Sequence, residues 1–136
     1  MGAGRKRGLI LTTESMPATA SPRTATILLV DDDPEVREIV SDILIDYGHR
    51  VFAADGGASA LRLLEETPEI ELMITDVRMP DISGLELAAR ARRARDGIRI
   101  ILISGYFLAQ DVGMRVLLKP FRMRDLQDAV QAELSA

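Results

Sequence analysis

Four charged side chains and one hydroxyl fall at the ends of short apolar runs. Asp31 and Asp32 follow Thr26-Ile-Leu-Leu-Val30, Asp76 follows Leu72-Met-Ile-Thr75, Ser104 follows Ile98 to Ile103, and Lys119 follows Val116-Leu-Leu118. Runs of this kind read as buried parallel strands, and in an open α/β sheet ligands bind in the crevice beyond the carboxyl ends of the strands. All five groups then face one rim. Three carboxylates opposite one ammonium describe a divalent-metal and phosphoryl site. An aspartate can attack phosphorus and form an aspartyl phosphate. Repulsion between the carboxylates and an incoming phosphoryl group calls for a counter-charge, and Mg2+ supplies it with a few carboxylate oxygens, waters and the phosphate in its shell. The pair Asp31-Asp32 suits that metal. Lys119 suits a phosphoryl oxygen as a point charge, and the Ser104 hydroxyl can bond another. Positioning and charge stabilisation do nearly all the work in phosphoryl transfer, so these few groups are enough.

The elements that must carry these groups alternate between β-type runs and helical patterns from Thr26 onward, which implies a parallel sheet covered by helices on both faces. Asp33 can cap a first helix, Pro34 suits its first position, and Val36, Ile39, Val40, Ile43, Leu44 and Tyr47 repeat at helical spacing until Gly48. A short strand is expected over His49 to Ala53, with His49 solvated beside the Gly48 turn. Ala58, Leu61 and Leu64 mark a second helix ending before Pro68, and Leu72 to Thr75 a third strand. Val77 to Gly84 is a loop punctuated by Pro and Gly. Leu85 to about Arg95 reads as a third helix whose Arg90, Arg92, Arg93 and Arg95 complement its dipole. Ile98 to Ile103 and Val116 to Leu118 are the last strands, and Arg124 to Leu134 a final helix with Leu126, Ala129 and Val130 inward. The expected fold is a flavodoxin-like doubly wound five-stranded parallel sheet of order 2-1-3-4-5.

The chain has 136 residues, 47% of them apolar, which suits one domain and leaves no room for a second. Its 17 basic and 21 acidic residues give a net charge of −4, with no whole-molecule attraction for nucleic acid or anionic lipid. There are no cysteines, so disulfides and thiolate metal sites are excluded. No apolar run approaches the roughly 18 residues that span a bilayer. The expected location is the cytoplasm. Residues 1–25 carry a basic Arg5-Lys-Arg7 cluster and then Thr, Ser, Ala and Pro, the composition of a disordered tail ahead of a domain over 26–136. Leu9-Ile-Leu11 is too short for a signal peptide, and Met16 offers a second start.

With these stretches in view, the chain resembles the receiver domains of two-component response regulators. The matching segments are Ile27-Leu-Leu-Val-Asp-Asp-Asp-Pro34, Met73-Ile-Thr-Asp-Val-Arg-Met-Pro-Asp-Ile-Ser-Gly84, Ile101-Leu-Ile-Ser-Gly105 and Leu117-Leu-Lys-Pro-Phe121. The resemblance implies that Asp76 accepts phosphate from a histidine kinase or a histidine phosphotransfer protein. It implies that Asp31 and Asp32 hold Mg2+ together with Asp76 and the backbone carbonyl of Arg78. It assigns Ser104 as the hydroxyl that moves toward the phosphate, Lys119 as its ligand, and a cis peptide before Pro120. Asp76 also stands alone after its strand, whereas Asp31 and Asp32 repel each other and are better used on metal. Output is then expected through a downstream protein, with no effector following the last helix. Such a module is no enzyme beyond assisting its own phosphorylation and dephosphorylation.

Two positions depart from the family pattern. Val116 stands where an aromatic switch residue is usual, and the interval from Ser104 to Lys119 is short by about seven residues, roughly two helical turns. The helix between the fourth and fifth strands is therefore expected to be shortened or absent. Residues 105–115 are expected to form a mobile loop that phosphorylation orders, with Tyr106 or Phe107 taking the aromatic role. Arg78 and Tyr106 hold the positions that flank the attacking water, and their bulk predicts slow self-hydrolysis. Three alternatives compete. Asp31-Asp32-Asp33 fits an aspartate-nucleophile phosphatase of the haloacid-dehalogenase type, although that class carries a larger body. A receiver-like docking module working without phosphate would suit the missing helix. A flavin-binding flavodoxin lacks its phosphate loop here.

Overall fold

The computed structural model describes residues 22–106, 108 and 112–136. Strands β1 (Thr26–Val30), β2 (Arg50–Ala54), β3 (Leu72–Asp76), β4 (Arg99–Ser104) and β5 (Arg115–Leu118) alternate with helices α1 (Pro34–Asp46), α2 (Gly57–Glu66), α3 (Gly84–Ala94) and α4 (Met123–Ser135). All strand pairs are parallel, in the order β2-β1-β3-β4-β5, as expected for a doubly wound sheet. Among the described residues no helix stands between β4 and β5. Phe107 and residues 109–111 lie outside the described residues, and with them much of the segment expected to order on phosphorylation.

Side chains alternate across each strand, so one apolar run feeds two cores. Leu28, Val30, Met73, Ile100 and Leu102 pack with Leu64, Leu87, Ala88 and Ala91 of α2 and α3. Ile27, Leu29, Leu72, Ile74, Ile101 and Ile103 pack with Val40, Leu44, Leu126, Val130 and Leu134 of α1 and α4. The three central strands are buried nearly throughout, which explains their unbroken apolar sequences. α1 begins as its sequence requires: Asp33 accepts from the amides of Glu35 and Val36, with Pro34 in the first turn.

Two expectations need correction. His49 is not solvated; it is only 4% exposed, and β2 starts one residue later. Its Nδ1 accepts from the Ala25 amide at 3.1 Å, which leaves the hydrogen on Nε2 to be donated to Gln127 Oε1 at 2.9 Å. The imidazole thus joins the residue ahead of β1 to α4. Next to it, Gln131 Oε1 accepts from the Arg23 amide and its Nε2 donates to the Arg23 carbonyl. Of the tail expected over 1–25, residues 1–21 lie outside the described residues, and Arg23 and Ala25 are bound to the domain. The second correction concerns Arg95. Its guanidinium leaves its own helix and donates to the carbonyls of Leu64, Thr67, Pro68 and Ile70, closing the C-terminal end of α2. Arg90, in contrast, pairs with Glu86 one turn earlier on α3.

Candidate functional site

Strand register decides which chemistry-bearing residues meet. Val30 pairs with Thr75, Thr75 with Leu102, and Ser104 with Leu118. The residues that end these strands or follow them, Asp31, Asp76, Ser104 and Lys119, therefore emerge side by side. The rim is extended by the Val77 amide donating to the Ile103 carbonyl and the Lys119 amide donating to the Ser104 carbonyl.

Asp31, Asp32 and Asp76 each offer a carboxylate oxygen, all within 4.8 Å of one another. Asp31 is 4% exposed and Asp76 8%, while Asp32 faces solvent. Asp31 is held by its own turn, its Oδ1 accepting from the Asp33 amide at 2.9 Å and its carbonyl from the Arg37 guanidinium at 2.8 Å. Burial pushes the Asp31 carboxyl above the ordinary aspartate value, the Asp33 amide pulls it partly back, and the Asp76 charge raises it again. A buried carboxylate facing two others is the donor set a hard divalent cation neutralises.

Lys119 Nζ lies 3.1 Å from Asp76 Oδ2, and the Lys119–Pro120 peptide is cis, as the resemblance implies. Asp76, Val77, Arg78, Ser104, Gly105, Tyr106 and Lys119 line one cavity of about 290 Å³. Ser104 is 1% exposed, yet its hydroxyl donates to the Tyr106 carbonyl at 2.7 Å and accepts from the Tyr106 amide. It lines the cavity but is bonded away from Asp76. Tyr106 is 48% exposed, and its ring centroid lies 5.8 Å from the Arg78 guanidinium carbon, within cation–π range; both residues line the cavity. The Arg78 amide lies 3.4 Å from Asp76 Oδ1, at the long end of hydrogen bonding. Val116 sits half-buried in β5 opposite Leu102.

Gly84 sets the position of Asp76. A Cβ on Gly84 would fall 2.2 Å from the Asp76 carbonyl oxygen, so only glycine lets the start of α3 pack against the end of β3.

Every site residue expected from the sequence is thus at the one rim. One group that the sequence did not single out supports it: Asp81, which accepts from the amides of Gly57 and Ala58. A signal for Asp81 existed. α2 starts at Gly56-Gly57 with no capping side chain of its own, so its amides need an acceptor from elsewhere.

Residues 27–131 match the family model of the response regulator receiver domain, and the chain belongs to that family. It is a phosphoacceptor module of two-component signalling, and the phosphatase and docking alternatives are not favoured. It is 37% identical over 117 residues to the response regulator receiver protein CpdR of Brucella abortus, covering 81% of this chain and 97% of CpdR. It is 33% identical over 125 residues to the sensor kinase CckA of the same organism, covering 86% of this chain but 13% of the kinase. Among solved structures it resembles the response regulator TrrA of Thermotoga maritima in complex with Mg2+-BeF, with TM-score 0.73 and 30% identity, covering 79% of this chain and 97% of that one. No helix among the described residues is long and apolar enough to cross a membrane.

Neutralising the carboxylate cluster should stabilise the fold. A cation that binds only the folded state adds about 1.4 kcal/mol when present at ten times its Kd, enough to raise the melting temperature by several degrees in a domain of this size. Thermal unfolding with and without MgCl2 checks this, and Asp32→Ala is expected to remove most of the shift. No shift in the wild type would count against a metal site.

Proposed function

We propose that Asp76 is the phosphoacceptor, that Asp31, Asp32, Asp76 and the Arg78 backbone carbonyl hold Mg2+, and that Lys119 and Ser104 receive the phosphoryl oxygens. The observation that carries this is the contact of Asp76 with Lys119 inside a three-carboxylate cluster. The Mg2+-BeF complex of the similar TrrA supports it. Bound there, Mg2+ would offset the repulsion between the carboxylates and the incoming phosphoryl group. The Asp76 carboxylate forms its bond to phosphorus as the bond from phosphorus to the donor's imidazole nitrogen breaks, and the electron pair leaves with the imidazole. Lys119 turns from the carboxylate oxygen to a phosphoryl oxygen. The Ser104 hydroxyl exchanges the Tyr106 carbonyl for another, which frees the turn at 104–106 and makes it the element that phosphorylation biases. We take residues 26–136 as the receiver unit, with a tail over 1–25 whose Arg23 and Ala25 are bound to it, working in the cytoplasm. The donor is a histidine kinase or a histidine phosphotransfer protein, and the output is a protein partner.

The test is incubation with acetyl phosphate and Mg2+, which should add one phosphate by intact mass. The resemblance assigns Arg78 and Tyr106 to the positions that flank the attacking water, and the two lie within cation–π range of each other. Replacing both by small polar residues, Arg78→Asn with Tyr106→Ser, is expected to shorten the lifetime of the phosphorylated protein severalfold. An unchanged or longer lifetime would refute the shielding.

A further inference from the structure

We infer that Asp81 is a positioning residue for the metal site: its carboxylate ties the loop between β3 and α3 to the start of α2 and thereby holds the Arg78 carbonyl at the acidic pocket. This deepens the reading of the site given above and rests on it.

Gly56 stands at the N-cap of α2 and offers no side chain to the first amides. Asp81, from a different segment, replaces it. Its Oδ2 accepts from the Gly57 amide at 2.8 Å and the Ala58 amide at 3.3 Å, while its Oδ1 accepts from the Ile82 amide at 2.8 Å. The Ile82 bond is the largest influence; it outweighs burial, which ranks next, and with the weaker effects of the Ala58 and Gly57 bonds it holds the carboxyl below the usual aspartate range. The fit needs bare backbone on the helix side. A Cβ at Gly57 would fall 2.4 Å from Ile82 Cγ1, and one at Gly56 3.0 Å from Asp81 Oδ2.

The loop is pinned at its two ends by the Val77 amide on Ile103 and the Gly84 amide on the Val77 carbonyl, at 2.9 and 2.8 Å. Between those ends, Asp81 supplies the tie to a neighbouring helix. The segment it steadies includes Arg78, Met79 and Pro80, which with Asp32 line a second, shallower cavity of about 270 Å³ on the metal side of the rim. Arg78 belongs to both cavities. Releasing Asp81 therefore loosens the wall that carries one expected ligand, and leaves Asp31, Asp32 and Asp76 in place on β1 and β3. Groups that orient a ligand in this way typically contribute about 10- to 100-fold to metal affinity.

Calorimetric titration of the full chain with MgCl2, together with acetyl phosphate labelling rates across Mg2+ concentrations, tests this. Asp81→Ala is expected to raise the Mg2+ Kd about tenfold. Its labelling rate falls at low Mg2+ and returns to the wild-type value at saturation, a split that a cap serving only stability would not give. Asp81→Asn keeps an oxygen for the Gly57 and Ala58 amides and stays within about threefold of the wild-type Kd. Gly57→Ala leaves Asp81 intact but pushes Ile82 and the loop away, and raises the Kd as Asp81→Ala does even though alanine favours the helix. A folded Asp81→Ala or Gly57→Ala protein with wild-type Mg2+ affinity overturns the inference, as does an Asn variant no better than Ala. If Asp81→Ala fails to fold, Gly57→Ala decides on the same criterion. Absence of Mg2+ binding in the wild type would instead overturn the metal site itself.

Discussion

Asp76→Asn is expected to take up no phosphate from acetyl phosphate and Mg2+ under conditions in which the wild type gains one. An amide oxygen is no nucleophile toward phosphorus, so the loss should be complete rather than partial. The surroundings of this carboxylate differ from those of Asp31. Asp76 Oδ2 is the oxygen in contact with Lys119, and Asp76 lines the cavity shared with Ser104, whereas Asp31 has an oxygen committed to the Asp33 amide. The substitution preserves shape and removes one charge from a like-charged cluster, so the melting temperature without Mg2+ should hold or rise. Intact-mass time courses check the first outcome and thermal unfolding the second. Asp31→Asn should still be labelled, only more slowly. Label kept by Asp76→Asn and lost from Asp31→Asn would move the nucleophile to the first aspartate, as in an aspartate-based phosphatase.

Lys119→Ala should slow labelling by about 10²- to 10³-fold, the usual cost of deleting one preorganised group from a site where transition-state charge develops. The ammonium is the cation nearest Asp76 among the described contacts, and it reaches the cavity because β5 pairs with β4 and the Lys119 amide is bonded to Ser104. Its loss also removes the ammonium in contact with Asp76. Mg2+ binding should then be at least as tight as in the wild type, since the metal no longer competes with Lys119 for Asp76. That pairing of slower transfer with undiminished metal affinity separates a phosphate ligand from a metal-site support. Lys119→Arg should recover only part of the rate, because a planar fork does not reproduce a compact ammonium. A rate for Lys119→Ala within tenfold of the wild type would remove the lysine from the phosphoryl site.

Much of the site could be read in the chain because the sheet's chemistry is local. A buried parallel strand announces itself as an unbroken apolar run, and the first polar residue after it must be at the rim. That rule alone brought together Asp31, Asp76, Ser104 and Lys119, residues up to 88 positions apart. The same local logic gave the cap at Asp33, and comparison with the family pattern gave the short connection between β4 and β5. It failed where a polar side chain finds its partner across the fold. His49 looked solvated beside Gly48, yet its two nitrogens are satisfied by Ala25 and Gln127, which are 24 and 78 positions away. Arg95 looked like the end of its own helix and instead closes the end of another.

The sequence by itself therefore determined the order of the elements, the two-faced burial of the central strands and the identity of the charges at the rim, because strand period, capping and turn chemistry act over a few residues. Only the tertiary structure decided the working geometry. Register set Asp76 against Lys119 at 3.1 Å, packing put the Ser104 hydroxyl on the Tyr106 carbonyl, and the approach of α2 to the β3–α3 loop gave Asp81 two helix amides to accept from. Hydrogen-bond partners depend on distances of tenths of an ångström between segments far apart in the chain, and no local pattern encodes them.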